Sequence, residues 1–132
     1  MPNISWSMTA QVPGGPKLSL SKTFEVGAYD AIEAVLSDNT PKTLDVQPST
    51  SSDQIKFLII SSNLYNESIT YTVSDTDGVS DKKLDAPQVL LGEGAVSLLG
   101  AVPKQIEFTN GSGQEVRISI LVGRDPVVTS TP

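Results

Sequence analysis

The 132-residue chain predicts an all-β fold, a two-sheet sandwich with jelly roll as the first choice of topology, and three observations carry that prediction. Short stretches of strict apolar–polar alternation recur at turn spacing along most of its length. Two of them, Gln54–Ser62 and Val116–Val122, are apolar on both sides, the mark of strands inside a sheet whose faces are both covered. No segment carries a sustained helical period, and no repeat period appears. An immunoglobulin-like sandwich is the second choice, but it lacks the Cys…Trp…Cys spacing that would identify it.

The first strand is read from residues 3–12, with Ile4, Trp6, Met8, Ala10 and Val12 on one side and Ser5, Ser7, Thr9 and Gln11 on the other. Pro13-Gly14-Gly15-Pro16 stops it, because proline removes ladder donors and glycine permits reversal. Leu18, Leu20, Phe24 and Val26 resume the apolar phase on a second strand. Residues 28–36, AYDAIEAVL, continue that even-numbered phase after a bend at Gly27, broken only by Asp30. They read as a strand, with a single helical turn as the alternative. Leu44 and Val46 mark a short strand before Pro48. In the central strand Gln54–Ser62, strict alternation places Ile55, Phe57 and Ile59 on one side and Leu58 and Ile60 on the other. Ile69, Tyr71 and Val73 follow on another alternating strand, then Val89–Leu91, then a bend bracketed by Gly92 and Gly94 that docks Val96, Leu98 and Leu99. Ile106 and Phe108 lead into Asn110-Gly111, a strong hairpin signal, and Val116, Ile118, Ile120 and Val122 lead out.

One domain is expected over residues 1–123, with a C-terminal extension over 124–132 whose Val127 and Val128 have no local core. The absence of cysteine excludes disulfides and thiol chemistry. The absence of histidine removes the commonest general base and nearly every transition-metal site. A formal net charge of −6 with scattered basic residues argues against nucleic-acid binding. The N-terminal stretch has neither a basic start nor an apolar run, so no signal peptide is expected, and no apolar stretch is long enough for a membrane-spanning helix.

Each candidate site has an ordinary explanation beside it. Asp75, Asp77, Asp81 and Asp85 could ligate calcium, yet their glycine falls too early for a calcium-loop spacing, and Asp-x-Asp-Gly is a common turn. Gly92-Glu93-Gly94 resembles the start of a dinucleotide fingerprint, but no helix is expected after it. Glu25, Glu33, Glu93, Glu107 and Glu115 could supply paired carboxylates, although most lie on the polar phase of strands. No enzyme and no cofactor are expected. Ile4 and Trp6 on a first strand at a sheet edge, and Arg124, Val127 and Val128 beyond the last strand, are the candidate interface residues.

The strings FLIISSNLYNESITYTV, LDAPQVLLGEGAVSLLG, IEFTNGSG and ISILVGRDP resemble small all-β virion proteins of tailed bacteriophages. The resemblance spans about the last two-thirds of the chain, rests on strand and turn phrases, and transfers no functional residue. It implies a capsid decoration or cement protein on the virion surface, bound to the major capsid protein. It also implies a homo-oligomer, a trimer matching local three-fold positions of a shell. A carbohydrate- or receptor-binding module, or a minor tail protein, is the alternative.

Overall fold

The computed structural model describes residues 3–46, 54–73, 78–100 and 104–125. An N-terminal pair of strands, β1 (Asn3–Gln11) and β2 (Lys17–Glu25), precedes the sandwich. The sandwich strands are β3 (Ala28–Leu36), β4 (Lys42–Asp45), β5 (Gln54–Ser62), β6 (Asn66–Val73), β7 (Lys82–Leu84), β8 (Gln88–Leu91), β9 (Gln105–Asn110) and β10 (Val116–Asp125). A single helical turn, α1 (Glu93–Val96), runs into a 3₁₀ turn over Ser97–Leu99.

The eight sandwich strands form two antiparallel sheets, ordered β3-β10-β5-β8 and β4-β9-β6-β7. Their pairing follows one rule: β3 pairs with β10, β4 with β9, β5 with β8 and β6 with β7. That is a long ribbon, strands β3 to β6 against β10 to β7, rolled until β10 also meets β5 and β6 also meets β9. The rolled ribbon is a jelly roll. Residues 28–36 are a strand throughout, and β5 lies inside its sheet between β10 and β8, both in line with the sequence pattern.

Alternation then decides what each sheet buries. Leu36, Leu58, Ile60, Ile118, Ile120 and Val122 face inward from one sheet, and Leu44, Ile69, Tyr71, Val73, Ile106 and Phe108 from the other. Each such side chain, fully removed from water, contributes about 1.5–3 kcal/mol. Val96 and Leu99 close one end of this core from the helical corner.

Four readings from the sequence need correction. The first two strands are not part of either sheet: β1 pairs only with β2, so Leu18 and Leu20 are exposed rather than inward. The Asn110-Gly111 corner is no hairpin, because β9 and β10 belong to opposite sheets. Positive φ falls at Gly113 (83°), while Asn110 is fully buried. Its amide donates to the carbonyls of Leu36 (3.2 Å) and Gln114 (2.6 Å), and its oxygen accepts from the Ser112 N–H (3.0 Å) and hydroxyl (2.7 Å). Asn110 is there for its hydrogen-bonding capacity, which ties the crossover to the end of β3. Third, Glu93 does open a helical turn after Gly92, whose φ of 95° suits glycine alone. Fourth, strict alternation fails in β5. Gly123 lies opposite Phe57 and Arg124 opposite Ile55, leaving Lys56 as the extra residue of a bulge. The bulge turns Ile55 into the core and leaves Phe57 on the outward side.

Candidate functional site

The feature that stands apart from the jelly roll is the β1–β2 ribbon. Nine register pairs, from Asn3 opposite Glu25 to Gln11 opposite Lys17, hold it together as an arm about 30 Å long at ~3.4 Å per residue. Its tip is closed by the Gly15 N–H donating to the Val12 carbonyl (2.7 Å) and the Val12 N–H to the Pro16 carbonyl (3.1 Å). Directly opposed residues share a face, so the arm sorts its side chains by chemistry. Ser5 with Thr23, Ser7 with Ser21 and Thr9 with Ser19 make one face polar, and the Ser5 and Thr23 hydroxyls lie 3.2 Å apart. Met8 with Leu20 and Ala10 with Leu18 make the other face apolar towards the tip, while Trp6 opposite Lys22 lies between them and the root. Leu18 is 56% exposed, and Met8, Val12 and Leu20 are exposed as well.

The root of the arm is anchored. Ile4 and Val26 sit against Gly123 and Phe57 on the outward side of the β3-β10-β5-β8 sheet. A Cβ on Gly123 would come within 2.6 Å of Ile4 Cδ1, 3.1 Å of Val26 Cγ1 and 3.2 Å of Phe57 Cβ, so a side chain there would displace the end of Ile4 and crowd Val26 and Phe57. Phe57 is 1% exposed and Val26 fully buried, yet neither belongs to the central core. They form a small second core beneath the root. The Gly27 N–H donates to the Arg124 carbonyl (3.1 Å), fixing the point where the arm joins the sandwich.

The outward side of the same sheet is apolar beyond that root. Ala31, Leu121, Ile59 and Val89 lie in register across all four strands. Tyr29 is 57% exposed and Val89 41%. A polar row, Glu33, Ser119 and Ser61, borders it.

The residues singled out from the sequence take these places. Ile4 is half-buried at the arm root and Trp6 half-buried one step further along. The Trp6 indole N–H is shielded from solvent and finds no acceptor among the described residues. Arg124 is turned inward: β10 continues through Asp125, and the Arg124 guanidinium holds Asp30 at 3.2 Å. Asp30 interrupts the apolar phase of β3 because it meets this arginine past the last core residue, Val122. Val127 and Val128 lie outside the described residues, as do Asp75 and Asp77. No group of three or more acidic side chains gathers among the described residues. Glu25, Glu33, Glu93, Glu107 and Glu115 are exposed. Glu33, Val35, Lys42 and Arg117 line a half-open depression beside β3. Among the described residues no helix is long and apolar enough to cross a membrane.

Sequence reasoning missed the outward apolar row. Its signal was present in the two-sided apolar content of β5 and β10, which was read as burial on both sides. No protein family, curated protein or solved structure gives a match to this chain.

Proposed function

We propose that the protein is a structural subunit of a tailed-phage particle, a decoration or cement protein that binds the major capsid protein and stabilises the shell. The observation that carries this reading is the arm. A ribbon about 30 Å long with one apolar face held outside the fold is an aggregation hazard for an isolated chain, and becomes a binding element once another subunit covers it. The resemblance of its strand phrases to those of small phage virion proteins suggests the setting. A jelly roll is a fold that capsid proteins use, although fold alone does not assign function. The reading asks for no cofactor, catalytic group, nucleic acid or membrane. A trimer is the expected oligomer because cement subunits gather at local three-fold positions.

The test is rebinding of the purified full chain to capsids stripped of their surface proteins, followed by cryo-electron microscopy. Density for the jelly roll at three-fold positions, with capsids better able to withstand heat, is the expected result. Density on the tail alone would make it a minor tail protein. Failure to bind any part of the particle would overturn the reading.

A further inference from the structure

Eight large apolar side chains are exposed among the described residues, and their distribution is not random. Met8, Val12, Leu18 and Leu20 belong to the arm, and Tyr29, Val35 and Val89 to the outward side of the β3-β10-β5-β8 sheet. The eighth, Leu98, lies in the helical corner that follows β8. The outward side of the other sheet has none of the eight. We infer that the arm of one copy lies across the outward face of the β3-β10-β5-β8 sheet of a second copy, seating Met8, Leu18 and Leu20 on Ala31, Leu121, Ile59 and Val89. This rests on the assembly reading above and names the first partner in that assembly, a sister chain.

Continuity supports it first. Within one chain, the arm root already rests on this face, with Ile4 on Gly123 beside Phe57. The acceptor row Ala31–Leu121–Ile59–Val89 crosses the same strands, exposed at Ala31 and Val89 and half-buried at Leu121 and Ile59. The remainder of the arm face and the remainder of the sheet face thus extend a contact that exists.

Charge points the same way. Residues 1–25 contain Lys17, Lys22 and Glu25, whereas the rest of the chain holds the other seven basic and fourteen acidic residues. A mildly basic arm is drawn to an acidic body more than to another arm, within the ~10 Å reach of screening at ordinary salt. Two arms packed together would also leave the sheet face uncovered.

Size decides the closure. The part of the arm face beyond Trp6, five register pairs long, measures about 17 Å by about 10 Å at ~3.4 Å per residue and ~4.8 Å between strands, roughly 170 Å². One junction therefore removes about 340 Å² from water, below the ~1,200–2,000 Å² of a stable interface. A contact of arm on face is heterologous, so it runs on or closes into a ring. Closing a ring engages both the arm and the face of every copy, whereas an open run leaves one arm and one face uncovered at its ends.

Cross-linking tests the placement, since the chain has no cysteine of its own. Full-length Leu20→Cys is mixed with full-length Val89→Cys under mild oxidation, and with Glu107→Cys as the control on the other outward face. Both target positions are exposed, and a disulfide needs Cβ atoms about 3.5–4.5 Å apart. The expected result is a Leu20–Val89 bond between copies, little bond to Glu107, and a closed oligomer by light scattering. Leu18→Glu with Leu20→Glu, tested as one variant, should keep the circular dichroism of the parent and weaken self-association at least about tenfold. Arm-to-arm bonds in the Leu20→Cys protein alone, equal trapping at Glu107, or a monomeric parent would overturn the inference. A monomer that still binds stripped capsids would sink the sister-chain contact and leave the capsid reading standing. A ring that ignores capsids would do the reverse.

Discussion

The two outward faces of the sandwich are built by the same alternation and finished with different chemistry. On the β4-β9-β6-β7 sheet, Thr43, Glu107 and Thr72 stand in one row, and Thr109, Thr70 and Lys83 in another. Asp45 accepts from the Gln105 amide at 2.7 Å along the same face. These are pairs that water tolerates, each contributing about 0.2–1 kcal/mol across strands. On the β3-β10-β5-β8 sheet the corresponding positions hold Ala31, Leu121, Ile59 and Val89, and Phe57 is buried where the arm root meets Gly123. One outward face of this small domain is polar along its rows and the other apolar, and under the proposed assembly the apolar face is the one that a sister chain covers.

The sharpest break in that comparison is Phe57→Ala set against Glu107→Ala. Both residues point outward, yet the first should lose about 3–5 kcal/mol in denaturant unfolding and the second stay within about 0.5 kcal/mol. Similar small losses would mean that the arm root contributes no second core. Gly123→Val comes next. It forces a branched side chain into Ile4, Val26 and Phe57, so a loss of about 1–3 kcal/mol is expected, with the arm released from the sheet. An unchanged midpoint would show that the root is not closely seated.

A smaller effect concerns how the two sheets are joined. Tyr71 projects into the core from the polar-faced sheet, 6.0 Å from Phe108 between ring centres, and its hydroxyl donates to Gln88 Oε1 of the opposite sheet at 3.4 Å. Burial pushes its phenol above the ordinary value of 10.0. Ionisation is therefore easier in the unfolded chain than in the folded one. Stability from this group is complete below pH 10 and falls as pH rises beyond it, through the folded-state value. Tyr71→Phe should flatten that alkaline loss, and an identical alkaline profile in the variant would refute the assignment. The smallest change is Trp6→Phe. It removes an indole N–H that has no acceptor among the described residues while keeping aromatic area, so stability should stay level or rise by up to about 1 kcal/mol. A clear loss would mean that the indole has a partner.

Much of the jelly roll was legible because alternation and turn chemistry agree. Residues 28–36 kept the phase set by Leu18 despite their helix-favouring alanines, and they form β3. Local pattern could not say which strands share a sheet. Asn110-Gly111 reads as a hairpin in any window, and only the burial of Asn110 against Leu36 shows that the chain crosses the sandwich there. The three-residue strand β7 offered too few residues for a period. For the candidate site, the sequence marked Ile4 and Trp6 and the exposed-edge problem they pose. It could not separate an apolar strand face buried inside a sandwich from one turned outward, because both read as Ile, Leu and Val at every second position. On that ground both sides of Gln54–Ser62 and Val116–Val122 read as covered, although Ile59 and Leu121 face outward. Register supplies the difference.

The central claim is that the arm is completed by a neighbour, and hydrogen exchange of the full chain at two protein concentrations tests it most directly. An isolated two-stranded ribbon is marginal in water. Amides of Asn3–Gln11 and Lys17–Glu25 should therefore be well protected at high concentration and lose protection on dilution, while those of Asn66–Val73 and Gln105–Asn110 stay constant. Arm protection that does not change with concentration would show that the ribbon is held by its own chain alone, and would contradict the account.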